Sequence, residues 1–70
     1  MNASTVLKRA KEMWDSNGRP TQLEWYIAKA GNELHDDEAK RDAQIFYAHA
    51  EQIQAERIER AIALAEASER

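Results

Sequence analysis

Val6, Leu7, Ala10, Met13 and Trp14 recur at three- and four-residue spacing, placing them on one face of a helix from about Ala3 to Ser16. Lys8, Arg9, Lys11 and Glu12 lie mostly away from that face. Asn17-Gly18 stops the helix, since either residue tolerates the left-handed conformation at a C-terminus. Pro20 forbids continuation and biases Arg19 toward an extended backbone.

A second helix is expected over residues 21–34. Thr21-Gln22-Leu23-Glu24 reads as a capping box, and Leu23, Tyr26, Ile27, Ala30 and Leu34 form its core stripe. Trp25 points to the opposite side. Gly31 lies beside the stripe, at a cost of about 1 kcal/mol relative to alanine, and lets another helix approach closely. Asp36 or Asp37 can cap the next helix, whose opening acids suit its positive end.

From about 38 to 68 neither proline nor glycine interrupts the chain, so one long helix is expected. Ala39, Ala43, Phe46, Ala50 and Ile53 make a first stripe, with Tyr47 at its edge. Ile58, Ala61, Ile62, Leu64 and Ala65 make a second, rotated around the axis, and Arg57 falls in line with the first. The reading is thus all-α: a single domain over residues 1–70, with two short helices and one long C-terminal helix. A helix of about 32 residues would be a rod of about 48 Å, against a radius of gyration of about 11 Å for a compact chain of this size. The first two helices are too short to cover it singly. A helical bundle completed by homodimerisation follows, with Ile58, Ala61, Ile62, Leu64 and Ala65 as the interface. The alternative is a monomer with a frayed, alanine-rich tail.

Composition narrows the function. With 70 residues the chain is near the small end of what folds unaided. It has no cysteine, which excludes disulfides, thiolate metal sites and thiol nucleophiles and makes the cytosol the default compartment. The longest apolar run, Ala61 to Ala65, is far short of a membrane span. Residues 1–20 carry +2, 21–38 carry −4 and 39–70 carry −1, with no basic stripe of the kind phosphate binding needs. A helix-turn-helix reading would send Asp36, Asp37 and Glu38 into the DNA groove, which phosphates oppose.

The segment from Arg9-Ala10 through Trp14 to Gly18-Arg19-Pro20, followed by Trp25 and by Glu33-Leu34, resembles a bacterial domain family of unknown function. The likeness covers residues 7–34, with Gly18-Arg19-Pro20 as its most specific part. It departs from the family's pattern in a shorter connection from Pro20 to Trp25, which changes the register of the second tryptophan. The resemblance implies a helix–turn–helix layout and bacterial or phage origin. In size and build alone the chain also resembles small phage-encoded inhibitors of host proteins.

Catalytic signals are missing. His35 and His49 are fourteen residues apart, and the Asp36–Glu38 acids read as a solvated cap, so neither a metal nor any other cofactor is expected. There is no Gly-rich phosphate loop, and Ser4, Thr5, Thr21 and Ser68 lack the context of activated nucleophiles. A non-enzymatic role is expected, in which another protein is bound through Trp25, Tyr26 and Tyr47 with Arg19 and Arg57, residue types that dominate interface centres. Trp25 is equally suited to packing against helix one or within a dimer. The concrete form is a bacterial or phage-encoded modulator of a host protein. The alternatives are a nucleic-acid-binding regulator contacting phosphates through Lys8, Arg9, Lys11 and Arg19, and a structural or chaperone-like assembly subunit.

Overall fold

The computed structural model describes residues 2–70. Among them it contains four α-helices and no strand: α1 (Ala3–Ser16), α2 (Leu23–Glu33), α3 (Asp37–His49) and α4 (Gln54–Ser68). Each helix packs on the next, α4 returns against α1, and α1 also touches α3 across the core. The radius of gyration is 10.5 Å and the longest dimension 30 Å.

The long C-terminal helix is therefore corrected to a hairpin, since a 48 Å rod does not fit this body. The chain leaves the helix at Ala50 (ψ 109) and re-enters after Ile53 (ψ 155), both extended. The cause is the offset between the two apolar stripes. A straight helix points them in different directions; a break lets both face one core. The break gives up a few intrahelical hydrogen bonds at about 1 kcal/mol net each. Burying Ile58 stabilises by about 1.5–3 kcal/mol, and each methyl of Ala61 and Ala65 adds about 0.8. The exposed carbonyl of Tyr47 is taken up by the Ala50 amide and the Arg57 guanidinium, both at 3.1 Å.

This removes the argument from length for a homodimer. Ile58, Ala61 and Ala65 are fully buried within their own chain, Ile62 packs against the core, and Leu64 is 39% exposed. The first three are core residues, closed to a second copy. The first stripe also shifts by a residue: Tyr47 is buried, Phe46 is only partly covered, and Ile53 is 71% exposed in the connection.

α1 begins at Ala3, as the spacing predicts, and its cap is a residue that the spacing does not mark: the Asn2 side chain accepts from the Thr5 amide at 3.1 Å and hydroxyl at 2.7 Å. Its end is a Schellman turn: the Arg19 amide reaches the Trp14 carbonyl (2.9 Å) and the Gly18 amide reaches that of Asp15 (3.1 Å). Gly18 has φ 81 and Arg19 φ 56, so Arg19 is left-handed rather than extended. The Thr21–Glu24 capping box does not form, and α2 starts two residues late, without a side-chain cap. The Trp14 indole donates to the Pro20 carbonyl and the Gln54 amide to the Thr21 carbonyl, holding both residues outside the helix.

Gly31 does what its position predicts. A β-carbon there would fall 2.5 Å from Lys40 Cγ and 2.6 Å from Cδ, so α2 and α3 approach too closely for a side chain. α3 is capped by Asp36, which accepts from the Ala39 amide at 2.9 Å. That bond holds the Asp36 carboxyl below its ordinary pKa. Glu66 bonds Lys8 across the α1–α4 seam (2.9 Å), where Lys11 also pairs with Glu59 (2.9 Å). Both are exposed, and such pairs are worth about 0–1 kcal/mol each.

Candidate functional site

The two connections α1–α2 and α3–α4 meet at one end of the bundle, tied by the bond from Gln54 to Thr21. Arg19, Trp25, Tyr26, Tyr47 and Arg57, distant in sequence, are thereby gathered around that end. They do not share one surface. Trp25 is 55% exposed and Arg19 is exposed, whereas Tyr26 and Tyr47 are buried and Arg57 is half-buried.

Trp25 is the largest apolar side chain left open, because Trp14 is buried at the Gly-Arg-Pro corner. Its orientation is fixed from two sides. The Tyr26 ring meets it edge-on at 5.0 Å and 85°, and the Lys29 ammonium stands 4.8 Å from its centroid. Tyr26 thus supports Trp25 from the interior. Lys29 went unremarked in the sequence, although its spacing of four from Trp25 places both on one helical face. Arg19 lies 5.4 Å from the Trp14 ring and bonds Asp15 at 2.7 Å, so its charge is already partly engaged. Ile53 adds an exposed apolar side chain in the other connection, beside Gln54.

A groove of 290 Å³ between α2, α3 and α4 is lined by Glu24, Ile27, Gln44, Tyr47, Ala48 and Arg57. The Arg57 guanidinium stacks 4.3 Å over the Tyr47 ring and donates to the Tyr47 carbonyl. Burial pushes the Tyr47 phenol above its ordinary pKa; Glu24 adds to this and Arg57 opposes it. The Tyr47 hydroxyl and Arg57 Nε are closed to solvent without a hydrogen-bond partner. An unmet buried group of this kind costs about 1–3 kcal/mol.

The remaining candidates lie elsewhere. His35, at φ 55, occupies the α2–α3 connection, while His49 is in the last turn of α3, so the two histidines are at opposite ends of one helix. Asp36, Glu38, Asp42 and Glu69 surround a 230 Å³ hollow at the acidic end, away from Trp25. Among the described residues no three His, Cys, Asp or Glu side chains are placed to hold a metal ion. No described helix is long and apolar enough to cross a membrane. Against protein-family models, curated proteins and solved structures the chain finds no match, so the likeness over residues 7–34 rests on the residues quoted for it.

Proposed function

We propose that this chain is a small non-enzymatic module that acts by binding another protein through the bundle end bearing Trp25. The observation that supports it is a 55% exposed tryptophan clamped by Tyr26 and Lys29 on a well-packed helix. A clamped indole gives up little conformational freedom on contact and buries a large area, which is why tryptophan is enriched among residues dominating interfaces. Ile53 is a second exposed apolar side chain, in the connection that meets this end, and Lys29 favours a partner with acidic groups around its contact. The 7–34 likeness supports bacterial or phage origin alone; a modulator of a host protein, as the concrete form, rests on the chain's small helical build and on the exposed Trp25. Since one chain closes its own core, the proposal concerns a monomer.

The test is affinity capture from bacterial lysate with wild type, Trp25→Ala and an Ile45→Ala control, Ile45 being the exposed apolar residue of α3. A specific protein retained by wild type and control but lost by Trp25→Ala, at unchanged helicity, is the expected result. Identical captures by all three overturn the reading. Sedimentation at micromolar concentration should give the monomer mass.

A further inference from the structure

We propose that the groove between α2, α3 and α4 binds a carboxylate, carried by a small acid or by one acidic side chain of a peptide. Among the described residues the two buried polar side-chain atoms lacking a partner are the Tyr47 hydroxyl and Arg57 Nε, and both residues line this groove. Nε can only donate and the hydroxyl can donate, so an acceptor would satisfy either. A carboxylate oxygen is the acceptor whose planar geometry and charge suit a guanidinium.

Arg57 is prepared for such a ligand. None of the ion pairs among the described residues includes Arg57, and the same holds for Lys29, Arg41, Arg60 and Arg70; Arg57 differs from these in having a buried, unpartnered Nε. Its plane is fixed by the stack on Tyr47, and one terminal nitrogen is occupied by the Tyr47 carbonyl. Both unpartnered atoms are closed to water as the side chains stand, so binding requires the half-buried Arg57 head to give up part of its stack on Tyr47, a cost that keeps the expected affinity in the millimolar range. At 290 Å³ the groove lies just under the range of about 300–1,000 Å³ that holds drug-sized ligands, which restricts it to a group of amino-acid size. Gln44 offers an amide to the same ligand, and Glu24 sets a limit, because its charge at the rim opposes an anion. Trp25 does not line this groove, so loss of binding at one site leaves the other to be tested separately.

The test is titration of the isotopically labelled protein with acetate and with a doubly blocked Ala-Glu-Ala tripeptide, following Arg57 Nε–H and the Tyr47 ring by NMR. Acetamide and blocked Ala-Gln-Ala are the uncharged controls. Saturable shifts centred on Arg57 and Tyr47, with millimolar Kd, are expected for the acids alone. Binding of both acids identifies a free small-acid site, and binding of the tripeptide alone identifies an acidic side chain as the occupant. Arg57→Gln should abolish saturation, and Tyr47→Phe should weaken binding about 5–10-fold. Glu24→Gln, on an exposed residue, should tighten it about 2–5-fold by removing a like charge. Equal shifts with the amides, shifts at Arg60 and Arg70 as large as at Arg57, or full binding by Arg57→Gln would each overturn the proposal.

Discussion

Replacing Gly31 by alanine sets two effects of known sign against each other. In an open helix the change is favourable by about 1 kcal/mol, because alanine loses less backbone freedom on folding. Here the new methyl meets Lys40 at Cγ (2.5 Å), at Cδ (2.6 Å) and closest of all at Cβ. Swinging the lysine away relieves the outer two contacts and gives up its bond to Asn32 Oδ1 (2.8 Å). It does not relieve Cβ, which moves only with the α3 backbone. Overpacking of this kind costs about 1–3 kcal/mol, so after the propensity gain Gly31→Ala should be destabilising by about 1 kcal/mol. For a domain of this size that lowers the thermal midpoint by about 4–8 °C. Urea and thermal unfolding followed by circular dichroism measure it. In a Lys40→Ala background the penalty should shrink without vanishing, since Cβ remains. A rise in the midpoint for the single variant would refute the reasoning and place α2 and α3 further apart.

Other outcomes follow from the caps, the chain ends and the carboxylates. His35→Gly should stabilise by about 1 kcal/mol, because φ 55 strains a residue with a β-carbon; an unchanged urea midpoint would contradict this. Glu69 accepts from the Ser4 amide (3.1 Å) and hydroxyl (2.8 Å), so Glu69→Ala should destabilise by about 1 kcal/mol in the same assay. Asp36 is held below its ordinary pKa of 3.8, first by the Ala39 amide, and Glu59 below its ordinary 4.5, first by its hydrogen bond from Lys11. A depressed carboxylate contributes stability above its unfolded pKa and loses it as pH falls through the lower folded value. Stability should therefore decline below about pH 4.5, and Asp36→Asn, which keeps a cap but cannot titrate, should flatten the lower part of that decline.

The first half of the fold is legible in the residues. The spacing of Val6, Leu7, Ala10 and Trp14, and the Asn17-Gly18 stop, delimit α1 because each acts locally. The all-helical class follows from the same periodicity. The break at Ala50–Ile53 was hidden, since Ala50, Glu51, Gln52 and Ile53 are all tolerated inside a helix and only burial of a distant stripe ends it there. Its trace in the sequence was Arg57, a charge standing in line with an apolar stripe. The failed capping box has a similar origin: Trp14 and Gln54 claim the carbonyls of Pro20 and Thr21, and one partner is 33 residues away. Among the candidate residues, the exposure of Trp25 was legible in its opposition to the α2 stripe. Burial of Tyr47 depended on the hairpin, as did the meeting of Tyr47, Arg57 and Glu24 at one groove.

The bond between Ser4 and Glu69 bears on the order in which the molecule can assemble. α1 is made first, yet the flank it presents to α4, with Lys8 and Lys11, has nothing to meet until Glu59, Glu66 and finally Glu69 have been synthesised. A growing chain can gather α1, α2 and α3 around one another, but their shared apolar side stays open until Ile58, Ala61 and Ala65 arrive. Premature termination anywhere before α4 would release a sticky three-helix fragment. Joining residue 70 to residue 2 and cutting at Glu51-Gln52 would instead let α4 emerge first, in direct continuity with the helix it covers.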